Sequence, residues 1–212
     1  MRVDQLPYIV GIAGGSASGK TSLLRDLRAA LPTEAVAVVS QDNYYLPKDQ
    51  QHVDRNGHVN FDLPTSINRA EFHSDLTALA KGQTITRQEY TFNNASVEPE
   101  EVVVQPAPII ITEGLFIFYY AEIREMLDLK VYLDASEKVK LGRRIARDAR
   151  DRGYDENTVR YQWDHHVMPA YREYLRPFRE TTDLVIPNNT SYARGLQVLV
   201  SHLKSLVPQV VS

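Results

Sequence analysis

Residues Tyr8-Ile9-Val10-Gly11-Ile12-Ala13 run without a break into Gly14-Gly15-Ser16-Ala17-Ser18-Gly19-Lys20-Thr21-Ser22, and a helical pattern follows. That junction constrains the fold more than any other feature of the chain. A short, apolar, β-branched run is the pattern of a strand buried on both faces. Leu23, Leu24, Leu27 and Leu31 then recur at helical spacing, and Pro32 marks the stop. The loop between fits G-x-x-x-x-G-K-[ST]: glycines let backbone N–H groups turn toward phosphate oxygens, a lysine reaches the β/γ-phosphates, and a hydroxyl ligates Mg²⁺. Gly14, Gly19, Lys20 and Thr21 take these roles, and Gly15, Ser16, Ala17, Ser18 and Ser22 complete the cradle. The bound anion is expected at a helix N-terminus, where unpaired N–H groups and the helix dipole favour it.

Further strand candidates lie at residues 35–39, 109–111, 129–133 and 184–186, with helical patterns between most of them. Strands alternating with helices imply right-handed crossovers and an α/β fold, a parallel sheet covered by helices on both faces. Ligands then bind outside the carboxyl ends of the strands. Two segments break the rhythm. Residues 83–105 read as a β-hairpin insertion with a long tip, and residues 136–157 as a basic helical lid carrying Lys138, Lys140, Arg143, Arg144, Arg147, Arg150 and Arg152. With 212 residues, 43% of them hydrophobic, one domain spanning 1–212 is expected.

A net charge of −3 gives no global attraction to a nucleic acid polymer or an anionic membrane, so small phosphorylated ligands fit better. No cysteine is present, which excludes disulfides, thiolate metal sites and cysteine nucleophiles. No apolar run approaches the length of a bilayer span, and the expected location is cytoplasmic.

Asp42 ends the second strand in Ser40-Gln41-Asp42-Asn43-Tyr44-Tyr45, where a carboxylate facing a γ-phosphate accepts the proton of an attacking hydroxyl. An Asx turn or helix cap would explain the same residue without chemistry. Glu113 closes an isoleucine-rich strand, the position of a second magnesium contact beside Thr21. Arginines at helical spacing stabilise charge on a transferred phosphoryl group and exclude water, and Arg147 heads that set. Asp62 beside Phe61, with Tyr90 and Phe92, suits a nucleoside: rings stack on the base and a carboxylate accepts two ribose hydroxyls. The histidines, including Asp164-His165-His166, show no ligand spacing and are read as structural.

In order and spacing, "GIAGGSASGKTS", "VVSQDNYY", "NFDLPTS", "IIITEGLFIF", "VYLDASEKVKLGRRIARDARDRG" and "VMPAYREYLRPFRETTDLVIPN" resemble the uridine (uridine–cytidine) kinases of the phosphoribulokinase/uridine kinase group of P-loop kinases. The resemblance implies a Mg²⁺-dependent kinase using ATP or GTP on the 5′-hydroxyl of uridine or cytidine. It implies Asp42 as catalytic base, Asp62 as the ribose ligand, and Tyr90 and Phe92 around the base. Arg144 and Gln162 become further nucleoside contacts, Arg147 and Arg152 lid arginines near the triphosphate, and Thr21 with Glu113 the magnesium site. A homo-oligomer, a tetramer in the family, is implied as well. Two positions depart from the pattern. Ala95, preceded by Asn93 and Asn94, stands where a histidine is usual, and Arg152-Gly153-Tyr154 replaces Arg-Gly-Arg. Asn93 or Asn94, with Tyr154 from the lid side, are then the expected partners of the base edge. The alternatives are a kinase of another small alcohol such as nicotinamide riboside, and a non-catalytic nucleotide sensor or hydrolytic switch.

Overall fold

The computed structural model describes residues 6–91 and 98–207. Its elements follow in the order β1 (Tyr8–Ala13), α1 (Lys20–Ala29), β2 (Val36–Ser40), β3 (His52–Val53), β4 (Val59–Asn60), α2 (Arg69–Ala80), β5 (Ile85–Gln88), β6 (Glu101–Val104), β7 (Ile109–Gly114), α3 (Ala121–Arg124), β8 (Leu129–Asp134), α4 (Glu137–Asp151), α5 (Glu156–Gln162), α6 (Met168–Ala170), β9 (Leu184–Pro187) and α7 (Ala193–Leu206).

Successive side chains of a strand point to opposite faces, and in β1 both faces are apolar. Ile9 and Ala13 join one buried cluster, Val10 and Ile12 the other. β7 repeats this with Ile110 on the first side and Ile109 and Ile111 on the second. Such strands need cover on both sides. Leu23, Leu24 and Leu27 of α1 and Leu199 and Leu203 of α7 supply it on one face, while Phe72, Leu76 and Leu79 of α2 and Ile123 of α3 supply it on the other. The resulting five-stranded sheet has the order β2-β7-β1-β8-β9, with every pairing parallel.

β7 extends past its last isoleucine because it is paired on both sides: Gly11↔Thr112 and Ile12↔Glu113 with β1, Ser40↔Glu113 with β2. All six of its residues are buried, so a polar Thr-Glu end is held inside the sheet by the ladder. The insertion forms an antiparallel hairpin of β5 and β6, in register from Ile85↔Val104 to Gln88↔Glu101. Phe92, Asn93, Asn94 and Ala95 lie outside the described residues. A second hairpin, β3 with β4, has only two residues in each strand, too short for an alternating pattern to announce it. The helix begun at α5 continues through π-helical turns at Trp163–Val167 and Tyr171–Leu175 on either side of α6. Among the described residues no helix is long and apolar enough to cross a membrane.

Candidate active site

Gly19 ends the loop at φ 102°, a left-handed conformation costly for any residue with a Cβ. Space demands glycine there too, since a Cβ would lie 2.6 Å from Asn188 Nδ2. That amide leaves the carboxyl end of β9 and donates to the Ser18 carbonyl at 2.8 Å, bracing the loop from behind. Among the described residues Ala17, at φ 60°, is the one residue other than glycine with a positive φ. Lys20 Nζ donates to the carbonyls of Gly14 and Gly15 at 3.0 and 3.4 Å. Burial lowers its pKa, opposed by the charges of Glu113 and Asp42. Ser16, Ala17, Gly19, Lys20, Thr21 and Ser22 all line one cavity of about 310 Å³; Gly14, Gly15 and Ser18 support it through their carbonyls.

The carboxylates come from adjacent strand ends. Ser40 Oγ donates to Glu113 Oε1 at 2.7 Å and accepts from the Asp42 N–H at 3.2 Å. Ser40 therefore caps the turn over Gln41–Tyr44, and the Asp42 carboxyl is left to the cavity, which it lines with Glu113. Gln41 locks the junction: its Oε1 accepts from the Phe116 N–H at 2.9 Å. A Cβ on Gly114 would stand 2.4 Å from the Gln41 Cβ, so the close approach that glycine allows here is to Gln41. Burial raises the Asp42 pKa against the pull of Lys20, Arg152 and Arg147. Burial, with the Asp42 charge next, pushes Glu113 up to about 7.

The carboxyls of Asp42 and Glu113 line one cavity with Lys20 and Thr21, and the charge of Asp42 is one of the causes that raise the Glu113 pKa. Hard oxygen groups of this kind fit Mg²⁺, which takes one or two carboxylates and fills its remaining positions with phosphate and water. Among the described residues no group of three or more His, Cys, Asp or Glu forms a metal cage of the protein's own.

The basic segment is the helix α4, capped by Ser136, whose side chain accepts from the Val139 N–H. Its arginines divide. Arg143 Nη1 donates to the Ser18 carbonyl at 3.4 Å, and Arg144 Nη1 donates to Ser16 Oγ at 2.9 Å. Arg144 Nη2 donates to Gln162 Oε1 at 3.2 Å, and Nη1 stands 3.7 Å from Asp62 Oδ1. Arg147 and Arg152 line the cavity and converge on Asp148. Arg150 instead pairs with Asp151 at the surface, and Lys140 is buried with its ammonium 3.7 Å from the centre of the Tyr171 ring. Helix geometry accounts for that: positions 140, 144 and 148 share a face, and packing claims it.

At the other end, Asp62, Phe61, Tyr90, Tyr154 and Gln162 line the cavity. Tyr45 stands between them, its ring 5.2 Å from that of Tyr90 and 6.1 Å from that of Phe61. Burial, with Asp42 and Asp62 nearby, raises its phenol well above the ordinary range. Of the residues expected around the substrate, Phe92 and Asn94 lie outside the described residues. Two residues escaped the sequence reading. His166, read as structural, lines the cavity, and its spacing of four from Gln162 on one helix was the available signal. Asn188 was marked by its place at a strand's carboxyl end.

A phosphate-loop motif that lines one cavity with a carboxyl and several guanidinium groups fits a phosphotransferase with a hydroxyl acceptor. The chain belongs to the phosphoribulokinase/uridine kinase family, whose sequence model matches residues 9–193. It is 31% identical over 205 residues to the uridine kinase of Clostridium novyi (strain NT), covering 96% of this chain and 98% of that one. It is 30% identical over 199 residues to uridine-cytidine kinase B of Dictyostelium discoideum, covering 94% and 82%. Among solved structures, phosphoribulokinase from Rhodobacter spheroides superposes with a TM-score of 0.62 at 15% identity, over 85% of this chain and 70% of that one, a likeness of fold.

Proposed function

We propose that the protein transfers the γ-phosphoryl group of ATP or GTP to the 5′-hydroxyl of uridine or cytidine, as a Mg²⁺-dependent, cytoplasmic homo-oligomer. The carrying observation is that Asp42 and Asp62 open into one cavity with the phosphate loop. The Asp62 backbone is fixed by its N–H bond to Asn60 Oδ1 at 2.9 Å, which suits its carboxylate to a rigid pair of ribose hydroxyls. A nucleoside held there presents its 5′-oxygen toward Asp42. Asp42 accepts the hydroxyl proton, the oxygen attacks the γ-phosphorus, and the bond to the bridging oxygen breaks to release the nucleoside diphosphate. Lys20, Arg147 and Arg152 stabilise the charge that moves onto the phosphates. Tyr90 offers an aromatic face to the base, and the Tyr154 phenol a polar contact to its edge. Mg²⁺ at Thr21 and Glu113 would supply charge neutralisation and orient the phosphates. Similarity to uridine kinases over nearly the whole chain supports the same acceptor class.

The test is incubation with Mg·ATP or Mg·GTP and a nucleoside panel that includes nicotinamide riboside, with products identified by mass. Uridine or cytidine monophosphate is expected. Phosphorylation of another alcohol alone refutes the pyrimidine reading, and inorganic phosphate as the sole product refutes the kinase.

A further inference from the structure

Arg144 Nε lies 3.2 Å from Asp148 Oδ2, yet no hydrogen bond joins them: both atoms are buried and each lacks a hydrogen-bond partner. The distance allows a bond and the alignment does not. An unpaired donor facing an unpaired acceptor inside a protein is unfavourable, so something else must hold the carboxyl out of line. The other oxygen shows what. Asp148 Oδ1 accepts from Arg147 Nε at 2.8 Å, and Arg152 Nη1 stands 3.5 Å away. Asp148, at 0% exposure, is thus shared between arginines of two kinds. Arg147 and Arg152 line the cavity, whereas Arg144 bridges Ser16 of the phosphate loop to Gln162 and Asp62 on the acceptor side.

We propose that Asp148 is a positioning residue that couples the two substrate subsites. A bound triphosphate competes for Arg147 and Arg152, the Asp148 carboxyl turns, and Oδ2 takes the Nε–H of Arg144. That guanidinium is then fixed against Gln162 and Asp62, and the acceptor subsite is completed only after the donor is bound. A kinase gains from this order, because a loaded triphosphate then meets a positioned hydroxyl rather than water. The inference rests on reading the cavity as a two-substrate kinase site. It adds a thermodynamic coupling that must be reciprocal.

Calorimetric titration of uridine and cytidine into the native protein, with and without Mg²⁺ and the β,γ-imido analogue of ATP, measures that coupling directly. The analogue is expected to tighten nucleoside binding about fivefold or more, the range of ordinary allosteric couplings. In Asp148→Asn the ratio should fall below about twofold while the analogue binds at least as tightly as to the native protein, since a competing anion is gone. A defect in folding alone would weaken both ligands. Coupling that survives in Asp148→Asn, or a native protein without coupling, overturns the proposal. Should Asp148→Asn not melt cooperatively, Arg144→Lys, which keeps the charge and deletes the guanidinium Nε–H, must lose the coupling. The Arg144 Nε–H resonance gives a readout that needs no acceptor: the analogue alone should slow its exchange with solvent, and an unchanged signal overturns the proposal. If neither nucleoside binds in either state, the pyrimidine reading fails, and the resonance still decides the role of Asp148.

Discussion

The two ends of the cavity are built from different materials. At the donor end the phosphate loop and both carboxyls leave strands that are ladder-paired to their neighbours: the loop from β1, Asp42 after β2, Glu113 in β7; Arg147 and Arg152 reach this end from α4 and its C-cap. At the acceptor end Asp62 follows a two-residue strand, Tyr90 leaves a hairpin, Tyr154 follows α4, and Gln162 and His166 stand where an α-helix gives way to a π-helical turn. Side chains hold this end together. Asp54 Oδ2 accepts from Tyr161 Oη at 2.7 Å and pairs with His166 Nε2 at 2.8 Å, tying the β3–β4 hairpin to the helix. Burial opposes ionisation of Asp54, but bonds from Tyr161, His166 and the N–H groups of His58 and Asn56 outweigh it and hold the carboxyl below its usual range. Backbone ladders fix the chemistry, and side-chain clasps leave the acceptor adjustable.

The largest expected effect falls at the donor end. Asp42→Asn keeps the shape and removes the base, so kcat should drop about 10²–10⁴-fold, the usual worth of general-base assistance. The KM for ATP should barely move. Steady-state kinetics decide it, and a near-normal kcat removes Asp42 from the mechanism and with it the claim that strand ends carry the chemistry. Next comes Gly114→Ala, whose new Cβ would press on Gln41, itself bonded to the Phe116 N–H. Overpacking of that kind costs about 1–3 kcal/mol. Urea denaturation should show the loss at unchanged m-value, whereas a change below about 0.5 kcal/mol would mean that the strand ends yield as readily as the clasp.

The same contrast explains what was legible in the sequence. The α/β sheet and the positions of Lys20, Asp42 and Glu113 followed from apolar runs ending in special residues, because a parallel strand buried on both faces leaves few choices. The apolar run 109–111 marked β7 and its acid end, but what holds the polar Thr112 and Glu113 in the strand is pairing with β1 and β2, which no local pattern shows. The arginine count of α4 was plain, but its division was not: a stripe of basic residues does not reveal that Asp148 collects two of them or that Lys140 turns to Tyr171. His166 was obscure for a related reason. Its partner Asp54 is 112 residues away, and no local pattern links a turn aspartate to a helix histidine.

The smallest expected effect tests the clasp. His166→Phe keeps an aromatic ring in a buried position and deletes one bond to Asp54, whose Oδ2 still accepts from Tyr161 at 2.7 Å. The clasp should loosen rather than open, so the hairpin that leads to Asp62 shifts slightly. Only that share of the lost bond appears in nucleoside binding, and a rise of about 3–10-fold in the acceptor KM is expected from a bond to a charged group worth about 1.5–3 kcal/mol. The KM for ATP and kcat should stay within twofold, because no strand end has moved. Asp54→Asn separates two routes to this outcome. If His166 acts through the clasp, weakening its partner raises the acceptor KM in the same direction; if the imidazole touches the nucleoside itself, Asp54→Asn leaves that KM intact while His166→Phe raises it. A fall in kcat in either variant comparable to that of Asp42→Asn would break the division between a fixed donor end and an adjustable acceptor end, since a side-chain clasp would then be setting the chemistry.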